Sequence, residues 1–290
     1  MARSFMAKLV SLYLRTQRND SEVYWEKTVQ ALTKKKENPS KAPRFLPITV
    51  ADSVNGRVFT LNGEPESNVI VFYLHGGSFI NDFAPQHWDL IRTIHRRTGA
   101  RVTAPAYRLI PYGTVLDAFA LIVPLYQEVI AANPGKKIIL IGDSAGGNLS
   151  LALTEAFLSE GIQPPDELIL LSPALDLTLE NPEIEKYLAK DPFLSVSGIR
   201  ICAKYWAGQL SLRDPRVSPL FGKIRELKRV TLFVGTDGIL YPDTIKLFEV
   251  LKHEPSNRLI IGNDMIHVYP LLPIPEARAA VDKIIETILR

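Results

Sequence analysis

The hydrophobic positions of this chain fall into two alternating patterns. Short apolar runs such as Val69-Ile-Val-Phe-Tyr-Leu74 are typical of strands that are covered on both faces. Longer stretches repeat apolar residues at the spacing of a helix. The predicted strands are 47–52, 57–61, 69–74, 101–104, 138–141, 168–172, 230–234 and 257–261. The predicted helices are 4–18, 21–36, 86–98, 114–132, 146–160, 242–253 and 275–289.

This alternation predicts an α/β fold with a mostly parallel central sheet and helices on both faces. The first two strands are separated by Asn55-Gly56, which predicts a hairpin, so the sheet should begin antiparallel. The alternation stops over about 177–227, where further helices are predicted. We therefore interpret 46–290 as the main domain, with an insertion at about 177–227 and two added helices within 1–45.

The first predicted helix collects its apolar residues on one face. These residues are Phe5, Leu9, Leu12 and Tyr13. One interpretation is that this face packs over the neighbouring core, which is the commoner arrangement. The other is an amphipathic helix lying on a membrane surface, because basic residues flank the apolar face. We expect packing over the core.

Composition and charge narrow the functional classes. The chain has 290 residues, 46% hydrophobic and 22% charged, and its net charge of +3 is spread along the sequence. These values are typical of a soluble globular protein, and the short run Lys34-Lys35-Lys36 does not predict a nucleic-acid partner. No uninterrupted apolar run approaches the roughly 18 to 20 residues of a membrane span. The single cysteine, Cys202, excludes an internal disulfide and, with no signal-like N-terminus, predicts a cytoplasmic protein.

The most specific motif is Gly142-Asp-Ser-Ala-Gly146, which follows a predicted strand and precedes a predicted helix. A G-x-S-x-G sequence in that setting forms a nucleophile elbow, a strained turn that exposes the serine hydroxyl. Ser144 is therefore the candidate nucleophile. The N–H of Ala145, at the start of the helix, would point at an oxyanion formed there.

A serine nucleophile needs a base and an acid that orients this base. Among the five histidines, His267 lies in the loop after the last predicted strand, where the chain order nucleophile, acid, base requires it. The loop after the strand at 230–234 offers two carboxylates. Asp237 is closer to the strand end and is preferred, whereas Asp243 follows a proline and could equally cap a helix.

Two further oxyanion donors are predicted in Tyr73-Leu-His-Gly-Gly-Ser-Phe79, directly after a strand. Successive glycines let backbone N–H groups approach a ligand closely. Gly76, Gly77 and Ala145 are therefore the candidate oxyanion hole.

With these pieces placed, the chain from about residue 45 onward resembles the hormone-sensitive-lipase-like family of α/β-hydrolase esterases. The resemblance rests on five motifs, which are His75-Gly-Gly-Ser78, Tyr107-Arg-Leu-Ile-Pro111, Gly142-Asp-Ser-Ala-Gly-Gly147, Asp191-Pro192 and Asp214-Pro-Arg-Val-Ser-Pro219. It implies an α/β-hydrolase core, a helical cap formed by 1–45 and the insertion, no cofactor and no metal, and hydrolysis of short acyl esters. Members of that family are often dimers, so the resemblance also allows a homodimer, although the sequence does not reveal the oligomeric state.

The chain departs from the family pattern at three places. Ser78 replaces the third glycine of the histidine–glycine motif, and Ile110 follows Tyr107-Arg-Leu109 where the family has an acidic continuation. The acid loop can be matched in two registers. One places the acid at Asp237, whereas the other, aligned on Ile239-Leu240, places Gly238 at the acid position. In that second register either the triad is incomplete or Asp237 reaches the histidine from a shifted backbone.

The sequence thus predicts a serine carboxylesterase that acts on a small acyl ester through Ser144, His267 and Asp237. Two alternatives remain open. An amidase or peptidase would use the same fold with an additional specificity element. A catalytically weak, ligand-binding protein would follow from a defective acid loop.

Overall fold

The computed structural model describes residues 3–290. Its centre is one eight-stranded sheet with the strand order β1-β2-β4-β3-β5-β6-β7-β8. The strands are β1 (Ile48–Ser53), β2 (Gly56–Leu61), β3 (Val69–Leu74), β4 (Arg101–Tyr107), β5 (Lys137–Asp143), β6 (Glu167–Leu171), β7 (Val230–Gly235) and β8 (Arg258–Gly262). Only β2 is antiparallel to its neighbours, β1 and β4, and all other pairs are parallel. The predicted α/β fold and antiparallel start are confirmed.

Helices cover both faces of the sheet. They are α1 (Phe5–Gln17), α2 (Glu22–Thr33), α3 (Pro85–Thr98), α4 (Val115–Ala132), α5 (Ala145–Glu160), α6 (Val196–Ala207), α7 (Tyr241–Leu251) and α8 (Pro275–Leu289). Successive residues of a strand point to opposite faces, so β3 supplies Ile70 and Phe72 to one apolar core and Val71 and Tyr73 to the other. Helices α4, α5 and α7 close the first core, whereas α3 and α8 close the second.

The predicted insertion lies between β6 and β7. It contains α6 and three short 3-10 turns, and α6 packs against α2. At this contact the indole of Trp25 lies where a side chain on Gly198 would otherwise stand. From α6, Trp206 stacks on Phe79 with ring centroids 4.2 Å apart and also contacts Tyr107. Helix α2 therefore packs on the insertion, and Trp206 of α6 packs on Phe79 and Tyr107 of the main domain.

The expectation that the apolar face of α1 packs over the core is wrong. Phe5, Leu9, Leu12 and Tyr13 are 75%, 44%, 62% and 63% exposed. The helix is instead buried on its small residues, Ala7 and Ser11, because small side chains allow close approach to the domain. Its apolar stripe points away from the protein.

Of the described residues, only Val115–Ala132 form a helix that is long and apolar enough to cross a membrane. This helix is α4, and its residues Val115, Leu121, Ile122 and Tyr126 are buried in the apolar core beside the sheet.

We expect Trp206→Ala to lower the free energy of unfolding by about 3–5 kcal/mol, because it removes a fully buried aromatic side chain between α6 and the core. Urea denaturation followed by circular dichroism measures this change. The control, Val54→Ala at a 91% exposed position, should change the free energy of unfolding by less than about 0.5 kcal/mol. Equal effects for both variants would contradict the attachment role of Trp206.

Candidate active site

The turn between β5 and α5 holds Ser144 in a strained backbone conformation. Its φ is 50° and its ψ is −114°, a combination that L-residues rarely adopt and that costs about 1–3 kcal/mol. Two glycines make this turn possible, because the backbone on either side of Ser144 approaches other backbone atoms too closely for a side chain to fit. A Cβ on Gly142 would lie 2.3 Å from Gly146 O, and one on Gly146 would lie 2.0 Å from Leu74 O. Ser144 thus stands at the carboxyl end of the central strands, with α5 beginning behind it.

The structure brings Ser144 and His267 together. His267 Nε2 lies 2.9 Å from Ser144 Oγ, and both residues are buried. Val268, whose N–H donates to Ser172 Oγ at 3.1 Å, fixes the backbone beside the imidazole. Burial lowers the pKa of His267 to about 4, while the charge of Asp143 acts in the opposite direction. The imidazole is therefore neutral near pH 7 and able to accept a proton from the serine.

The structure does not bring Asp237 to His267. The N–H of Asp237 donates to Met265 O, and its carboxylate lies 3.3 Å from Arg3 Nη1. His267 Nδ1 is buried and has no hydrogen-bond partner within residues 3–290. The other predicted candidate, Asp243, is also elsewhere, because its carboxylate accepts a hydrogen bond of 2.7 Å from Asn181 Nδ2. Neither carboxylate orients the imidazole in this structure.

Gly238, in the loop after β7, lies beside the backbone of His267. A Cβ on Gly238 would have no heavy atom closer than 3.8 Å, and its nearest neighbours would be Asp191 Oδ2, Gly235 O and the amide N of His267. This arrangement matches the second register of the sequence, in which the acid position is a glycine. The side chain of Asp237 is instead held by Arg3.

The missing partner affects the tautomer of His267. A histidine that accepts the serine proton at Nε2 carries its own proton on Nδ1, and this N–H has no acceptor here. A buried donor without an acceptor costs about 1–3 kcal/mol. The other tautomer, with the proton on Nε2, would donate to Ser144 Oγ and could not act as a base.

The predicted oxyanion donors are only partly free. The N–H of Gly76 donates to Asp143 Oδ1 at 3.1 Å, so it faces away from Ser144. No protein acceptor is found in residues 3–290 for the N–H groups of Gly77, Ser78 or Ala145. Ser78, which sequence reasoning treated only as a departure from the family motif, also lines the cavity beside Ser144. Its position directly after two glycines was the available signal for a further donor.

A buried polar network supports the oxyanion loop. Tyr73 donates to Asp143 Oδ1 at 2.7 Å, and His87 Nε2 lies 3.4 Å from Asp143 Oδ2. Burial alone would raise the pKa of Asp143, but His87 and the hydrogen bonds from His87 and Tyr73 hold it below its usual value. His75, whose pKa burial lowers to about 4, stacks on Tyr107, and the Tyr107 hydroxyl donates to His75 O. The loop is thus anchored to an ionised carboxylate beneath the elbow.

The cavity beside Ser144 is small and apolar. Its free volume is about 10 Å³, which is about the space of a single water molecule. It is lined by Ser78, Phe79, Ser144, Ala145, Ala174, Leu177, Leu194, Ile199, Cys202 and Leu240. A larger cleft of about 420 Å³ lies between residues 35–40 and the β1–β2 turn, and none of the predicted catalytic residues lines it. Within residues 3–290, no group of three or more His, Cys, Asp or Glu side chains is placed to hold a metal ion.

Comparison with known proteins places this geometry in a family. A family model described as alpha/beta hydrolase fold matches residues 71–271, more than half of the chain. The chain belongs to the α/β-hydrolase family. The elbow, the loop after β3 and the histidine loop after β8 all lie within the matched region.

Its relatives include esterases and hormone-sensitive lipases. An esterase of Acinetobacter venetianus is 32% identical over 65% of this chain and 63% of its own length. An acetyl-hydrolase of Streptomyces hygroscopicus is 28% identical over 73% of this chain and 72% of its own. Human hormone-sensitive lipase is 26% identical over 50% of this chain but only 14% of its own. A crystal structure from Staphylococcus aureus superposes with a TM-score of 0.83 at 27% identity, covering 94% of each chain. These matches confirm the resemblance to the hormone-sensitive-lipase-like family.

The low pKa of His267 predicts how the reactivity of the Ser144 hydroxyl depends on pH. A fluorophosphonate reacts with a serine whose histidine is neutral, and a pKa lowered to about 4 keeps the imidazole neutral as the pH falls. We expect the labelling rate to change less than about twofold between pH 8 and pH 6 and to fall only as the pH approaches 4. An ordinary histidine would lose half of this rate near pH 6.5.

Labelling is quenched at timed intervals and quantified by mass spectrometry to give the rate. Circular dichroism at each pH checks that the protein stays folded. Ser144→Ala controls for labelling elsewhere. A midpoint above pH 6 would contradict the predicted environment of His267.

Proposed function

We propose that the protein is a serine carboxylesterase that hydrolyses esters of very short acyl groups. The observation that supports this most directly is the 2.9 Å contact between Ser144 Oγ and His267 Nε2, on a strained elbow at the start of a helix. The names of its relatives, esterase, triacylglycerol lipase and acetyl-hydrolase, point to the same class of reaction.

In the proposed mechanism, Ser144 Oγ attacks the ester carbonyl while His267 Nε2 takes the serine proton. The N–H groups of Gly77, Ser78 and Ala145 stabilise the tetrahedral oxyanion, and each such donor is typically worth about 3 kcal/mol of the barrier. The protonated imidazole then gives its proton to the leaving alcohol. A water molecule, activated by His267, releases the acid from the serine and restores the free protein.

The size of the cavity beside Ser144 supports an acetyl group as the acyl part. A free volume of about 10 Å³ is about that of one water molecule, so of the acyl groups we expect the smallest, acetyl, to fit with the least movement of the walls. Its walls Leu177, Leu194 and Leu240 are buried and apolar, so a longer acyl chain would require these side chains to move.

One observation favours a second candidate function. His267 Nδ1 has no partner among the described residues, and a relay without its acid reacts slowly. The missing acid is consistent with a protein that binds an ester or a related small molecule without turning it over quickly. Turnover measurements distinguish the two, because a binding protein leaves p-nitrophenyl acetate intact.

We expect the parent protein to hydrolyse p-nitrophenyl acetate faster than the butyrate and the octanoate, in that order. Ser144→Ala should reduce the rate to the level of the buffer. Leu194→Ala, which enlarges the cavity, should raise kcat/KM for the butyrate relative to the acetate by about tenfold, the effect of one or two methylenes in an apolar pocket.

The rates are measured by release of p-nitrophenolate. Leu158→Ala on the outer face of α5 is the matched control and should leave the order of the three substrates unchanged. Hydrolysis that persists in Ser144→Ala would exclude the serine mechanism. A preference of the parent protein for octanoate would exclude the assignment of the small cavity as the acyl site.

A further inference from the structure

We infer that residue 238 is the acid position of the catalytic relay and that this chain has left it empty. This inference rests on the proposed esterase function and concerns the residue that should orient His267. Three observations carry it. They are the unpartnered Nδ1 of His267, the open space beside Gly238 and the pairing of Asp237 with Arg3.

The position of Gly238 suits a carboxylate. The loops of Gly238 and His267 are held together by the hydrogen bonds from Thr236 N–H to Gly262 O and from Asp237 N–H to Met265 O. A Cβ on Gly238 would lie 3.8 Å from the amide N of His267 without a close contact. A carboxylate built on that Cβ would extend one bond further out into space that no protein atom fills closely, and we infer that it meets the unpartnered Nδ1 of His267.

The carboxylate present one residue earlier is held elsewhere. Arg3 Nη1 lies 3.3 Å from Asp237 Oδ2, and both side chains are about four-fifths buried. The N-terminal segment that carries Arg3 is itself fixed, because Ser4 donates to Glu276 through its N–H and its hydroxyl. Asp237 therefore attaches the N-terminal segment to the loop and does not serve the histidine.

The rest of the loop keeps the shape that an acid would need. Asp191 is fully buried, and its Oδ2 accepts the N–H of Ile239 at 2.9 Å while its Oδ1 accepts from Phe193 and Leu194. These hydrogen bonds fix the backbone on the far side of Gly238. The protein thus acts through a Ser144–His267 dyad in which the unsupported imidazole limits the rate.

Gly238→Asp should complete the relay. In serine proteases the loss of this carboxylate lowers kcat by about 10⁴-fold, so we expect its gain to raise kcat on p-nitrophenyl acetate by at least about tenfold. The introduced negative charge also favours the imidazolium form of His267, so the acidic limb of the pH–rate profile should move to higher pH. Asp143, Asp191 and the Asp237–Arg3 pair face the same region and are unchanged in every variant.

Gly238→Asn is the matched control, because it has the same shape and no charge. It should gain less activity and should not move the acidic limb. Asp237→Asn should leave kcat within about threefold of the parent protein, since that carboxylate is paired with Arg3. Melting temperatures from circular dichroism and fluorophosphonate labelling of Ser144 accompany each rate.

A folded Gly238→Asp protein that still labels at Ser144, with unchanged kcat and an unchanged pH profile, would overturn the inference while leaving the esterase proposal in place. A loss of more than about 100-fold in Asp237→Asn would also overturn it, by returning the acid role to that residue. If neither the parent protein nor Gly238→Asp hydrolyses any ester or labels at Ser144, the proposed function fails as well.

A second inference comes from the outer surface of α1, which lies outside the catalytic site. We propose that this helix docks the protein on an anionic lipid surface. Its outward stripe contains Phe5, Leu9, Leu12 and Tyr13, all at least 44% exposed. Such a stripe on one side of a helix is the face that interfacial helices bury in a membrane surface.

Charge identifies the lipid as anionic. Within residues 1–45 there are ten basic and four acidic side chains, whereas the rest of the chain has 24 and 27. Helix α1 contains no acidic residue, and its Lys8 and Arg15 are exposed at one border of the apolar stripe. Basic side chains beside a membrane-facing apolar stripe are attracted to anionic headgroups.

The position of α1 connects this surface to the candidate site. Arg18, directly after α1, donates to Leu188 O at 2.9 Å and to Asp191 O. Helix α2 packs on α6, and Ile199 and Cys202 of α6 line the cavity beside Ser144. A lipid surface against α1 would therefore lie close to α6, which lines the cavity beside Ser144.

We expect the protein to co-sediment with vesicles of phosphatidylglycerol and phosphatidylcholine in equal parts more than with pure phosphatidylcholine vesicles. Binding should fall as salt is raised. The pair Phe5→Ser and Leu12→Ser, and separately the pair Lys8→Glu and Arg15→Glu, should each reduce the bound fraction at least about fivefold. Val54→Ser, at an exposed apolar position of the β1–β2 turn, is the matched control and should bind as the parent protein does.

Hydrolysis of soluble p-nitrophenyl acetate is measured for every variant and should be unchanged, because no residue of the stripe lines the cavity. Absence of vesicle binding by the parent protein would overturn the proposal. So would a dimer in light scattering that Phe5→Ser with Leu12→Ser converts to a monomer, since the stripe would then be an interface between two copies of this chain.

Discussion

The close contact between the first turn of α5 and the end of β3 is the constraint on which the site depends. At Gly146 the helix backbone lies so near Leu74 O that any side chain would clash. This contact keeps Ser144 at φ 50° and aims the start of α5 at the space above it. It also brings the loop after β3 alongside the elbow, so Ser144, Ala145 and Ser78 line one small cavity.

Asp143, next to the nucleophile, turns this contact into a stable arrangement. A buried carboxylate is unfavourable unless it is paired and hydrogen-bonded. Here Tyr73, Gly76 and His87 all lie against it, and its pKa stays below the usual value. The charge that holds Gly76 also takes this N–H away from the cavity. The N–H groups that remain without a protein acceptor among the described residues are those of Gly77, Ser78 and Ala145, the donors proposed for the oxyanion.

The sequence has a histidine in contact with Ser144 but a glycine at the centre of the loop expected to supply the acid. Ser144 and His267 are in hydrogen-bond contact, and the glycine loop after β3 lies beside the elbow. In the loop that should provide the acid, Asp191 holds Ile239, but a glycine stands at its centre. Its neighbour Asp237 contacts Arg3 in the N-terminal segment. The carboxylate of this loop that is present thus pairs with the N-terminal segment and not with the imidazole.

The sequence by itself determined the strands, the helices, the elbow at Ser144 and the choice of His267, because these follow from local patterns and from chain order. It left two registers open at the acid loop. How the loops after β7 and β8 pair, and that Asp237 pairs with Arg3, was decided only by the tertiary structure. The same holds for Gly76, whose N–H is directed by a carboxylate 67 residues away. The outward stripe of α1 is a third case, because periodicity identifies an apolar face without its direction. Local chemistry is written in neighbouring residues, whereas the direction of a side chain is set by contacts between distant ones.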